Sequence, residues 1–105
     1  MDPAPRAAIP VFSALGHEVR LTLFRLLVRA GGEGLNIGEI TRQMGLAPST
    51  LSHHLATLVD AGLVRQERRG REVLNHANLS ALRELMGFLD AECCVGVAAP
   101  AERAA

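Results

Sequence analysis

Residues 38–76 read GEITRQMGLAPSTLSHHLATLVDAGLVRQERRGREVLNH, and the fold is decided within them. Just before this run, Asn36 is placed to cap a helix, with Glu39 three residues on to complete a capping box. Ile37, Ile40 and Met44 form that helix's apolar stripe, and Gly45 ends it. After Leu46 and Ala47, Pro48 fits the first position of a second helix that runs to Asp60 and stops at Gly62. Two short helices around a glycine turn are a helix-turn-helix signal. The pattern then changes. Residues 63–67 and 72–76 are short strand-like runs, with Arg68, Arg69, Gly70 and Arg71 between them as a hairpin loop. The predicted fold is therefore mainly α with a small β-hairpin wing, a winged helix-turn-helix.

A wheel at about 100° per residue sorts the second helix into two faces. Leu51, Leu55, Leu58 and Val59 cluster on one side. Ser49, His53, Ala56 and Thr57 fall opposite, flanked by Thr50 and Ser52. That outward face is small, polar and uncharged, whereas an ordinary solvent-facing helix carries Glu, Lys or Arg. Small hydroxyls and an imidazole let a helix enter the major groove and hydrogen-bond base edges. A plain solvent face that lacks charge is the competing reading, and the Arg-rich hairpin that follows weighs against it. His54 sits at the edge of the buried stripe and reads as a packed structural histidine. The His53–His54 pair is a weak metal signal, because neighbours on a helix diverge by about 100°.

Outward from this segment, residues 1–8 read as a flexible arm. Pro10 opens a short helix carrying Val11, Phe12 and Leu15, and Gly16 interrupts it. Val19, Leu23, Leu26 and Leu27 repeat at helical spacing until Gly31, Gly32 and Gly34. Asn78 is a cap for a last helix with Leu79, Leu82, Leu85, Met86 and Leu89. Residues 9–94 then make one domain, and residues 95–105 a flexible tail. A chain of 105 residues buries a thin core, which favours dimerisation. The core must be aliphatic, since there are three Phe and no Trp or Tyr.

Eleven arginines balance eleven acids, so net charge points to no partner. Its distribution does: Arg65, Arg68, Arg69 and Arg71 crowd the hairpin, against Glu67 and Glu72. A solvated turn is the bland alternative. No signal peptide and no membrane-length apolar run is visible, so a cytoplasmic, membrane-free protein is expected. Its two cysteines, Cys93 and Cys94, are adjacent and expected as free thiols in a reducing compartment.

The runs ALGHEVRLTLFRLL (14–27), residues 38–76 as quoted, and the helix after Asn78 resemble the ArsR family of metalloid- and metal-responsive repressors. The resemblance spans about three quarters of the chain. It implies a homodimer packed through the first and last helices, bound to double-stranded operator DNA and released by an inducer. It implies base reading by Ser49, Thr50, Ser52, His53 and Thr57, backbone contacts by Arg42 and Gln43, and wing contacts by Arg68, Arg69 and Arg71. About eight neutralised phosphates per dimer give a log–log salt slope on the order of −7.

No cofactor is expected for folding. The family's soft-metal cysteines in the first helix of the helix-turn-helix are missing here, where Asn36 and Gly38 stand. Its zinc site on the last helix lacks histidine between 79 and 94. Cys93 and Cys94 resemble the C-terminal cysteine pair of members sensing trivalent arsenic or antimony. Thiolates are the ligands such soft ions select. Inorganic arsenite prefers three, and the tail offers no third cysteine, whereas two satisfy methylarsenite. Arsenite, antimonite and methylarsenite all stand as inducers. Adjacent helical side chains diverge, so chelation is expected to require fraying of the helix end. Thiol redox or persulfide sensing is the alternative, although a reactive thiol wants an electropositive setting and these lie beside Asp90 and Glu92. A winged-helix protein-interaction module is a further alternative, but it wants large apolar anchors on the outward helix face. No phosphate-binding glycine loop, HExxH or GxSxG motif is present, so no enzyme is expected.

Overall fold

The computed structural model describes residues 3–99. Its elements run α1 (Pro3–Leu15), α2 (Glu18–Ala30), a 3-10 turn (Gly31–Glu33), α3 (Ile37–Met44), α4 (Pro48–Asp60), β1 (Val64–Arg69), β2 (Glu72–Ala77) and α5 (Leu79–Glu92). This is a winged helix-turn-helix: α3 and α4 form the helix pair and β1–β2 the wing.

The α3–α4 unit is built as its residues dictate. The Asn36 side chain accepts from the Glu39 amide at 2.8 Å, and the Glu39 carboxylate accepts from the Asn36 amide at 3.0 Å. Gly45 takes the left-handed conformation that ends α3, and Pro48 stands in the first turn of α4. Leu51, Leu55 and Leu58 of α4 enter a core with Leu23, Phe24 and Leu27 of α2, Ile40 of α3 and Leu85 of α5. Each such leucine stabilises the fold by about 1.5–3 kcal/mol through apolar burial.

The strands pair antiparallel with Val64 opposite Ala77 and Arg69 opposite Glu72. Leu35 bridges Asn75 by two backbone hydrogen bonds of 2.8 and 3.0 Å, pinning the wing's base to the chain entering α3. Gly34 makes that approach possible. Its φ is +65°, and a Cβ there would lie 2.7 Å from His76 Cε1.

Three local expectations are corrected. The first helix starts at Pro3 and not at Pro10, so residues 3–8, expected as a flexible arm, are helical. Ala4, Ala7 and Ala8 are strong helix formers, and Pro3 and Pro5 fall in the first turn, whose N–H groups have no partner. Pro10 sits inside the helix at the cost of one backbone bond. The hairpin loop is two residues, Gly70 and Arg71, because Arg68 and Arg69 pair within β1. Gly70, with φ +65°, suits so tight a turn. Asn78 precedes α5 but does not cap it, since its side-chain amide donates to the Gly62 carbonyl at 2.9 Å. Residues 95–99 of the expected tail carry neither helix nor strand. Residues 1–2 and 100–105 lie outside the described residues.

Candidate nucleic-acid interface and cysteine pair

Helix α4 presents Ser49, Thr50, Ser52, His53 and Ala56 to solvent, opposite its buried leucines. Thr57 is half-buried, and its hydroxyl donates to the His53 carbonyl at 3.3 Å, so it is less available than its neighbours. Arg42 and Gln43 are exposed on α3 beside the turn. All the positions expected to meet DNA on these two helices are thus at the surface, except for the partial withdrawal of Thr57.

His54 is buried, at 9% exposure. Its Nδ1 lies 3.4 Å from Arg20 Nη1, which makes it the acceptor and leaves the imidazole neutral. Burial first, then the charges of His17, Arg20 and His53, hold its pKa below the ordinary value of 6.5. Arg20 Nε also donates to the Ala14 carbonyl at 2.8 Å, tying the end of α1 to α4. Arg20 and His17 join the site only through this packing. His17 caps α2 by accepting from the Val19 amide at 3.2 Å, and its ring centroid stands 4.7 Å from that of His54. The sequence signal for both was only their place before and on an apolar helix.

The wing divides its arginines. Along β1, residues 65, 67 and 69 share one face and residue 68 the other. Arg69 Nη2 donates to Glu67 Oε2 at 3.1 Å, and Glu67 Oε1 meets His76 Nε2 at 2.9 Å. The Arg69 hydrogen bond, then that of His76, lower the Glu67 pKa. Asn36 donates to the Glu72 carboxylate. Arg65, Arg68 and Arg71 are exposed, and no ion pair engages them among the described residues.

The cysteine pair departs from its expected geometry. Helix α5 ends at Glu92, with Cys93 extended at ψ 123° and Cys94 in the left-handed region at φ 62°. A non-glycine residue there costs about 1–2 kcal/mol. The turn swings both side chains to one side, so the sulfurs lie 3.3 Å apart with both residues exposed. No fraying is needed to bring them together, because the helix has already stopped. Among the described residues, no cluster of three or more His, Cys, Asp or Glu is arranged to hold a metal ion. No described helix is long and apolar enough to cross a membrane.

Known proteins share this chain's helix-turn-helix sequence and its fold. A family described as a helix-turn-helix domain matches residues 15–67. The HTH-type transcriptional regulator YgaV of Escherichia coli is 31% identical over 87 residues, covering 83% of this chain and 86% of its own. A putative arsenical resistance operon repressor ArsR of Halobacterium salinarum is 36% identical over 69 residues, 66% of this chain and 53% of its own. An ArsR-like transcriptional regulator from Rhodococcus superposes with a TM-score of 0.77 at 22% identity, covering 86% of this chain and 82% of that one, which supports the fold. The chain belongs to the ArsR family. As an ArsR-family protein it is a DNA-binding transcriptional regulator. Within that family frame, α3 and α4 are its helix-turn-helix and β1–β2 its wing.

Proposed function

We propose that the protein is a homodimeric repressor of the reducing cytoplasm, bound to double-stranded operator DNA and released when trivalent arsenic or antimony binds Cys93 and Cys94. Its DNA-binding and dimerisation unit runs from the start of α1 at Pro3, ahead of the residue 9 expected, to residue 94. Ser49, Thr50, Ser52 and His53 read bases, with Thr57 in support. Arg42, Gln43, Arg68 and Arg71 position the backbone, and Arg69 lends its charge from behind Glu67. The dimer is packed through α1 and α5, whose Phe12 and Met86 are 53% and 58% exposed in the single chain.

The observation that carries the inducer reading is the 3.3 Å separation of two exposed sulfurs beyond a finished helix. Two bonds of about 2.3 Å, the length of a zinc–thiolate bond, close over that gap at about 90°. A pyramidal centre with a lone pair accepts that angle, whereas tetrahedral zinc wants the sulfurs farther apart. Each thiol replaces one hydroxide on arsenic, and its proton leaves with that hydroxide as water. Methylarsenite is then satisfied, and arsenite or antimonite keeps one hydroxide or takes an outside thiol. The name of the Halobacterium relative supports this class of inducer.

The test is a DNA-release titration with arsenite, antimonite, methylarsenite, zinc and a persulfide donor. Trivalent arsenicals are expected to lower DNA affinity about 100-fold, a coupling of about 2.7 kcal/mol, within the usual allosteric range. The Cys93→Ser, Cys94→Ser variant should bind DNA normally and ignore them. Normal release from that variant defeats the site assignment, and release by the persulfide donor alone assigns the pair to redox sensing.

A further inference from the structure

One guanidinium joins three elements of the chain. Helix α1 runs out at Leu15, and the last carbonyls of a helix have no partner one turn further on. Arg20, in the first turn of α2, supplies donors to two of them. Its Nε donates to the Ala14 carbonyl at 2.8 Å and its Nη2 to the Ser13 carbonyl at 3.4 Å. Its charge also suits the negative end of the α1 dipole. Its Nη1 donates at 3.4 Å to Nδ1 of His54, which is buried on α4. The planar fork of arginine fixes these three directions against one another. Where α1 and α4 face each other directly, their packing is open. A groove of about 240 Å³ lies between Pro10, Ser13 and Ala14 of α1 and Thr57 and Asp60 of α4.

We infer that Arg20 is a positioning residue for DNA recognition, which locks the reading helix α4 to the dimer helix α1 and so sets the half-site spacing that the protein accepts. The inference rests on the proposed seam through α1 and α5 and on the proposed reading of α4. Arg20 is half-buried behind α4 and acts through His54, not on DNA. A twofold dimer carries two α4 helices. The distance and angle between them follow from how each α4 sits on its own α1. Half-sites one helical turn apart are separated by about 34–36 Å, so one added base pair moves a half-site by about 3.4 Å and turns it by about 36°. A rigid frame cannot follow that step with both helices at once. A frame whose tie between α1 and α4 is cut can follow it through the open groove between them. Cutting the tie therefore relaxes the choice of spacing. It leaves the reading of each half-site intact, because the outward face of α4 does that reading.

The experiment first selects a palindromic duplex from a random pool with the full wild-type chain. Fluorescence anisotropy then compares binding to that duplex, to the same duplex with one base pair added or removed at its centre, and to a single half-site. For the wild-type protein the change of spacing should weaken binding about 100-fold. Arg20→Met cuts the tie at both ends, and His54→Leu cuts only its α4 end and leaves the cap of α1 in place. Each should reduce the spacing penalty to about 10-fold or less, with half-site affinity within about twofold of wild type, and the double variant should go no further than either alone. Arg20→Lys keeps a cation at the end of α1, but one ammonium cannot span both carbonyls and His54, so it should not restore the penalty. Where urea unfolding shows that Arg20→Met does not fold, His54→Leu carries the test. A wild-type protein indifferent to spacing, or variants that keep the wild-type penalty, overturns the inference. So does a loss of half-site affinity equal to the loss on the palindrome, which makes Arg20 only a support for the fold of α4. Failure of the wild-type protein to select any duplex overturns the reading of α4 as well.

Discussion

At the scale of single residues, His54 makes stability depend on pH. Its imidazole is neutral in the fold, with its pKa depressed by burial and then by His17, Arg20 and His53. The unfolded chain binds a proton near pH 6.5 more readily than the folded one. The stabilisation is therefore complete above pH 6.5 and is lost as pH falls below it toward the depressed folded pKa. Urea midpoints should be level between pH 8.0 and 7.0 and lower at pH 5.5, and His54→Gln should flatten that fall. A midpoint that rises on acidification contradicts the neutral assignment. Gly34 is the second sensitive residue, for steric reasons. Gly34→Ala adds a Cβ 2.7 Å from His76 Cε1 and 2.8 Å from the Asn75 carbonyl, at a φ that disfavours side chains. It should cost about 2–4 kcal/mol in urea unfolding. Gly70→Ala has nearly the same φ in open space and should cost only about 1 kcal/mol. The difference between the two isolates the close approach of the wing's base.

At the scale of elements, the wing's arginines are unequal. Arg69 is held by Glu67, whose other oxygen is held by buried His76, so its charge is already neutralised within the hairpin. Arg68 lies on the opposite face of β1, and no ion pair engages it among the described residues. Each phosphate contact contributes about 0.9 to the salt slope, and a dimer doubles it. Arg68→Gln should therefore make the log–log slope shallower by about 2 units, and Arg69→Gln by less than half of that. Equal changes in the two variants mean that DNA displaces Glu67. This inequality was invisible in the sequence, where Arg68, Arg69 and Arg71 read as one loop, because strand register decides which face a residue takes. The α3–α4 unit was legible for the opposite reason. Its capping box, left-handed Gly45 and N-terminal Pro48 are local devices that act within four residues. The start of α1 is hidden at residues 3–8 because prolines there suggest a break, although proline costs little in a first turn and the alanines beside it favour helix. The cysteine pair was found by composition, but its convergence depends on the left-handed backbone of Cys94, which no residue type there announces.

At the scale of the whole molecule, the single chain leaves an apolar surface without a partner. Ile9 and Phe12 lie three residues apart on α1, Met86 and Leu89 three apart on α5, and all four are about half exposed or more. Such spacing puts each pair on one helix face. In water a face of this kind is expected to be covered, and a twofold-related copy covers it with the same residues. The proposed dimer should then sediment at twice the 11.2 kDa of the chain. Met86→Glu with Leu89→Glu places four like charges in that seam while leaving Leu85 in the core. The variant should sediment as a monomer with its helical circular dichroism retained. Its affinity for a palindromic duplex should fall at least about 100-fold, and its salt slope should halve, because one protomer meets one half-site. A variant that remains dimeric places the seam elsewhere, and one that is monomeric yet binds with an undiminished slope separates DNA binding from dimerisation. The same variant bears on release. If Cys93 and Cys94 act through the end of α5 on the spacing of two reading helices, a monomer bound to a half-site should hold DNA equally well with and without methylarsenite.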